Sequence, residues 1–190
     1  HCLDGDIVER YPDRYLAAVE TSIESMPMTH YHPGGRFLQV CTVGCNFTCE
    51  GCVSEMLTDS LSSIGGSFLE LSPEDVVERA IDRNCIGVMF CFNEPTVSYY
   101  TFLRLARKAR RSGLLVGIST NGYMPREALE GLVHYVDFVN LGLKGFSDRC
   151  YDECGAASSE PVWRNLRLLH EHGKYLELSI VFRKYGEMEV

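Results

Sequence analysis

The chain is short of positive charge and of long apolar runs, and each shortage closes off a class of function. Lysine and arginine number 18 against 26 aspartates and glutamates, a formal net charge of −8, whereas a general nucleic-acid binder needs a cationic surface to meet phosphates. No run approaches the roughly 18 apolar residues that a membrane-crossing helix requires. The N-terminus lacks the charged-then-apolar layout of a secretory signal. These features lead us to expect a cytoplasmic protein with neither nucleic acid nor membrane as partner. The chain opens on His1 and stops at Val190 just after a strand-like run, so both ends read as cut from something longer. Internal repeats, low-complexity tracts and internal linkers are also missing, and 190 residues with 45% hydrophobic content suit one domain.

Cysteine, by contrast, is plentiful: nine in all. In a reducing compartment, clustered cysteines serve metals or redox chemistry more often than disulfides, so their spacing matters. Strand-length apolar runs fall at Phe37–Val43, Ile86–Phe92, Leu114–Ser119, Val136–Leu141 and Leu176–Phe182. Between them, Ser72–Asn84, Val97–Arg111, Arg126–His134 and Glu160–His172 carry apolar residues at helical spacing. Ser72 suits an N-cap with Pro73 in the first helical position and Asp75 at the positive end, and Gly113 and Gly173 read as C-terminal stops. Ser54–Leu71 reads as a long loop with room for one helical turn.

Alternating strands and helices predict an α/β fold of parallel strands, either a closed or open barrel or a doubly wound sheet. In both, ligands bind at the C-terminal ends of the strands. Cys45 follows the first predicted strand, Asn93-Glu94-Pro95 the second, Ser119-Thr120-Asn121-Gly122 the third and Lys144 the fourth, so one rim collects them.

Cys45, Cys49 and Cys52 place three thiols within eight residues, with no fourth ligand nearby. Three thiolates can hold three irons of a 4Fe-4S cubane, which leaves the fourth iron open to an outside ligand. Gly44 and Gly51 let the loop turn tightly without a side chain in the way. The alternatives are a zinc site, which usually takes a fourth protein ligand, or cysteines that merely pack together. Cys41 and Cys91, inside apolar strands, read as small core residues, and Cys150 and Cys154 read as packing or a second metal pair.

The C-x3-C-x2-C spacing is the signature of the radical SAM superfamily, and the sequence resembles the enzymes related to pyruvate formate-lyase activating enzyme, the AmmeMemoRadiSam group in particular. The likeness runs through His30-Tyr31-His32-Pro33-Gly34, Thr42-Val43-Gly44-Cys45-Asn46-Phe47, Phe92-Asn93-Glu94-Pro95-Thr96, Thr120-Asn121-Gly122-Tyr123-Met124, Asn140-Leu141-Gly142-Leu143-Lys144 and Cys154-Gly155-Ala156. It implies a partial (β/α)6 barrel over residues 31–190, truncated at its C-terminus with the sixth strand lying past Val190, and a segment 1–30 of unclear role. It also implies a 4Fe-4S cluster on Cys45, Cys49 and Cys52 and S-adenosylmethionine (SAM) on the open iron. Glu94, with Asn93 beside it, would hold the SAM amino group, Lys144 would pair with the SAM carboxylate, and Ser119 and Asn121 would meet the methionine or ribose part.

The sequence departs from the family pattern in three places. Gly51 stands where an aromatic residue usually packs near adenine, and Gly142 and Ser119 stand where activating enzymes carry acids that bind a monovalent cation beside SAM. The implied consequences are that other groups hold adenine and that the cation site is missing or weak. The implied activity is reductive cleavage of SAM to methionine and a 5′-deoxyadenosyl radical that takes a hydrogen from a protein or peptide. The other readings are a radical SAM enzyme acting on a small molecule and a non-catalytic iron–sulfur binding module. No separate acid or base residue is expected. The basic run Arg104, Arg107, Lys108, Arg110 and Arg111 reads as a solvated helix face or as a dock for an acidic flavodoxin or ferredoxin serving as electron donor.

Overall fold

A computed structural model of the chain describes residues 2, 3, 6–58 and 68–180. Its centre is a six-stranded sheet of β1 (Ala17–Ser22), β2 (Arg36–Cys41), β3 (Gly87–Phe90), β4 (Leu115–Thr120), β5 (Phe138–Leu143) and β6 (Tyr175–Ile180). In space the strands stand in chain order, with β2 to β6 parallel and β1 antiparallel on β2. Successive parallel strands are joined by α1 (Pro73–Asp82), α2 (Tyr99–Arg111), α3 (Arg126–Val133) and α4 (Glu160–Glu171). Every crossover steps the same way to the neighbouring strand, so the right-handed rule puts all four helices on one face and the sheet curves as an open barrel.

The five predicted parallel strands and four helices are present with their ends shifted by a few residues. Phe182, the predicted end of the last strand, lies outside the described residues. Ser72 caps α1 as predicted, and it does so in a reciprocal capping box with Asp75. The predicted second helix begins with a 310 turn at Pro95–Ser98 before the regular helix sets in at Tyr99. The loop after the cysteines contains a helical turn at Glu55–Thr58. The segment to which the sequence assigned no role supplies the edge strand β1, and short two-residue bridges pair Cys2–Leu3 with Asp6–Ile7 and Arg14–Tyr15 with Leu69–Glu70. Its residues alternate in burial only weakly.

Apolar clusters cover both faces of the curved sheet. On the helix side, Leu38, Val40, Val88, Phe90, Val116, Ile118 and Val139 pack on Val76, Phe102, Leu105, Leu132 and Leu169 of the helices. On the concave side, Phe37, Met89, Cys91 and Phe138 meet Ile23, Met26 and Met28, because the β1–β2 connection folds inward and fills the barrel floor. Tyr31 of that connection lies against Phe138 and Tyr175, with ring centroids 4.4 and 4.8 Å apart. Glu177 of β6 fastens the same connection by accepting hydrogen bonds from the Thr29 and His30 amides, each at 2.8 Å. The floor is thus packed with apolar side chains, and the open space lies at the strand C-terminal ends. Among the described residues no helix is long and apolar enough to cross a membrane.

Candidate functional site

The loops leaving β2, β3, β4 and β5 surround a cavity of about 600 Å3. The eight site residues named from the sequence, Cys45, Cys49, Cys52, Asn93, Glu94, Ser119, Asn121 and Lys144, all line it. Its size is that of a pocket for a cofactor-sized ligand. The parallel arrangement accounts for the convergence, since every strand delivers its following loop to the same rim.

The cysteine loop is docked from behind. Thr48 donates its amide N–H to the Cys154 carbonyl at 2.9 Å, and the Phe47 ring packs near Tyr123 and Tyr151 at 5.2 and 6.1 Å. Gly44 and Gly51 adopt φ of +100° and +69°, the left-handed region that glycine enters without penalty. At position 51 an L side chain would be strained in this conformation even though its Cβ meets nothing within 4 Å. Burial pushes the Cys45 thiol up to about 11, and the Phe47 N–H only partly offsets this. Among the described residues no three His, Cys, Asp or Glu groups converge on a single ion position.

Glu94 is 3% exposed and is held by donors from two loops. Its Oε1 accepts from the Thr96 amide at 3.1 Å and from the Thr96 and Thr120 hydroxyls at 2.7 and 2.8 Å, and its Oε2 accepts from the Asn121 amide at 2.8 Å. Desolvation by burial raises its pKa and these donors lower it, with burial prevailing. Asn93 faces Thr42, accepting its amide N–H at 2.9 Å and donating to its hydroxyl at 2.7 Å, which ties the cysteine loop to the end of β3. Ser119 donates to Asn140 at 3.2 Å, and Asn140 in turn donates to Ser179 at 2.8 Å. The Lys144 ammonium lies 3.7 Å from where a Cβ on Gly142 would stand.

Thr42, Asn46, Thr96 and Thr120 were not named from the sequence as site residues, yet they hold those that were. Each sits beside a named motif residue, but a lone threonine or asparagine in a turn has no spacing that sets it apart. The remaining cysteines of the predicted core, Cys41 and Cys91, are buried as expected. Three of the five basic residues of α2 meet carboxylates of other segments, Arg104 with Asp13, Lys108 with Glu74 and Arg110 with Asp137, while Arg107 lies over the Tyr135 ring.

The radical SAM superfamily model matches residues 40–186. The chain belongs to the radical SAM superfamily. Enzymes of this superfamily use a 4Fe-4S cluster and SAM, and the open α/β barrel is their fold. The chain is 32% identical over 161 residues to the uncharacterised protein MJ0808 of Methanocaldococcus jannaschii, covering 83% of this chain and 46% of that protein. It is 26% identical over 138 residues to the isethionate sulfite-lyase activating enzyme of Oleidesulfovibrio alaskensis, covering 72% of this chain and 43% of the relative. The chain therefore spans under half the length of either relative. Among solved structures, Streptococcus suis SuiB bound to S-adenosylmethionine superposes with a TM-score of 0.60 at 18% identity, over 79% of this chain and 35% of SuiB. Escherichia coli QueE matches with a TM-score of 0.50 at 12% identity, over 87% of this chain and 93% of QueE. These two likenesses concern the fold. The residues present fit the superfamily's cofactors: three thiols, a buried carboxylate and an ammonium line one cavity.

Proposed function

We propose that this radical SAM protein holds its cluster on Cys45, Cys49 and Cys52, binds SAM at the open iron, and uses the resulting radical on a protein or peptide. The observation that carries the reading is the shared cavity, in which the three-thiol loop and the SAM-binding candidates meet without a fourth cysteine. When bound, the reduced cluster supplies the electron that splits SAM into methionine and a 5′-deoxyadenosyl radical.

The chain's own residues do the binding and shielding. Lys144 offers its ammonium to the SAM carboxylate, a charge-assisted contact in a half-buried place. Glu94, fixed by four donors, presents the remaining lone pair of Oε2 to the SAM amino group, and Asn93 holds the loop that carries it. Ser119 and Asn121 border the space for the methionine and ribose portions. The packed floor formed by Met26, Met28 and Phe138 closes the barrel from below, which keeps water away from a reactive intermediate.

A protein or peptide substrate is supported by the likeness to an enzyme named as activating a lyase. The exposed Val53 and Phe92 at the cavity mouth suit an apolar segment of such a partner. The reductant is a low-potential donor of the flavodoxin or ferredoxin class.

The test is anaerobic reconstitution with iron and sulfide, reduction, addition of SAM and assay for 5′-deoxyadenosine. Wild-type protein should release it and Cys49→Ala should not. A cluster that assembles without SAM cleavage would support the non-catalytic module instead.

A further inference from the structure

The three thiols are not equivalent. Among the described residues Cys45 Sγ alone of the three receives hydrogen-bond donors: the Phe47 amide at 3.4 Å and the Asn121 carboxamide Nδ2 at 3.7 Å. Sulfur's larger radius lengthens such contacts relative to those between nitrogen and oxygen. The Phe47 donor follows from the turn of the loop itself. The Asn121 donor comes from another strand end and depends on one side chain.

The orientation of that side chain is over-determined. Asn121 Oδ1 accepts the Tyr123 amide at 2.8 Å, Nδ2 donates to Asn46 Oδ1 at 2.8 Å, and Asn46 Nδ2 donates to the Tyr123 carbonyl at 2.6 Å. The three groups close a ring in which reversing either carboxamide would set donor against donor. One Nδ2 hydrogen is spent on Asn46, and the other is left for Cys45. The backbone is pinned as well, by Glu94 on the Asn121 amide and by Asn165 on the Gly122 and Met124 carbonyls at 2.8 and 2.9 Å. Asn121 is 5% exposed, so its dipole acts where water screens little.

We propose that Asn121 is a positioning residue for the iron–sulfur centre, which donates to the Cys45 sulfur and thereby raises the centre's reduction potential. The proposal rests on the reading that Cys45 ligates a cluster iron. Reduction adds negative charge that spreads onto the ligand sulfurs, so a donor aimed at one of them stabilises the reduced state more than the oxidised. Removing the donor makes the centre harder to reduce.

The experiment is an EPR-monitored redox titration of the anaerobically reconstituted chain without SAM, comparing wild type, Asn121→Ala and Asn121→Asp. Both variants should carry wild-type iron and sulfide, with a midpoint potential lower in the alanine variant and lower still in the aspartate variant. Aspartate keeps an oxygen for the Tyr123 amide but turns a negative oxygen toward Cys45. The D2O-exchangeable proton coupling to the reduced centre seen in wild type should weaken in both. If Asn121→Ala fails to hold a cluster, the isosteric Asn121→Asp decides. A full cluster with an unchanged midpoint overturns the proposal, as does a change confined to SAM affinity. Cys45→Ala retaining a cluster of wild-type spectrum and potential would instead show that the ligand reading had failed, and the proposal with it.

Discussion

The carboxamides of Asn46 and Asn121 meet at 2.8 Å and join the cysteine loop to the loop that follows β4. Two chain segments 75 residues apart thus share one hydrogen-bonded ring at the cavity wall.

Asn46→Ala opens this ring and frees the cysteine loop on one side. The variant loses two hydrogen bonds, one to the Tyr123 carbonyl and one from Asn121, each worth about 0.5–1.5 kcal/mol. Iron should pass to a chelator roughly five- to a hundredfold faster from the reconstituted variant than from wild type. A release rate equal to wild type would show that the ring does not steady the loop.

Lys144→Ala should weaken SAM binding about tenfold or more, the scale expected for a hydrogen bond to a charged group. Gly142→Asp should act in the same direction, because a carboxylate there would lie within reach of the Lys144 ammonium and compete with the SAM carboxylate. Calorimetry of SAM binding to the reconstituted protein reads both, and unchanged affinity in Lys144→Ala would remove this residue from the site.

Glu177 should steepen the loss of stability in acid. Burial pushes its pKa up, but hydrogen bonds from Thr29 and His30 outweigh this and leave it below the ordinary 4.5. A carboxyl depressed in the folded state contributes stability above its unfolded value and loses it as pH falls through the folded value. Denaturant unfolding from pH 6 downward should therefore show a shallower acid limb in Glu177→Gln than in wild type below about pH 4.5. Parallel limbs would count against it.

Gly117→Ala tests the packing of the barrel floor. A Cβ there would overlap the Phe138 ring, which sits on the neighbouring strand. Overpacking of this kind costs about 1–3 kcal/mol, seen as a lower denaturant midpoint with an unchanged slope. A midpoint matching wild type would mean that the ring moves aside freely.

The sequence by itself determined the repeating β/α order, the α1 cap at Ser72 and the three-cysteine loop, because each is local: periodicity, capping and ligand spacing all operate over a few residues. It also placed the site residues on one rim, since parallel strands send their loops to the same end. Tertiary structure alone decided the rest. Ile23, Met26 and Met28 read as uninformative because their burial comes from Phe37, Met89 and Phe138, distant in the chain. The basic run of α2 looked like a free surface until the fold brought Asp13, Glu74 and Asp137 to it. The roles of Thr42, Asn46 and Thr120 likewise arise only where separate loops converge, for a hydrogen bond between segments dozens of residues apart leaves no periodic trace in the sequence.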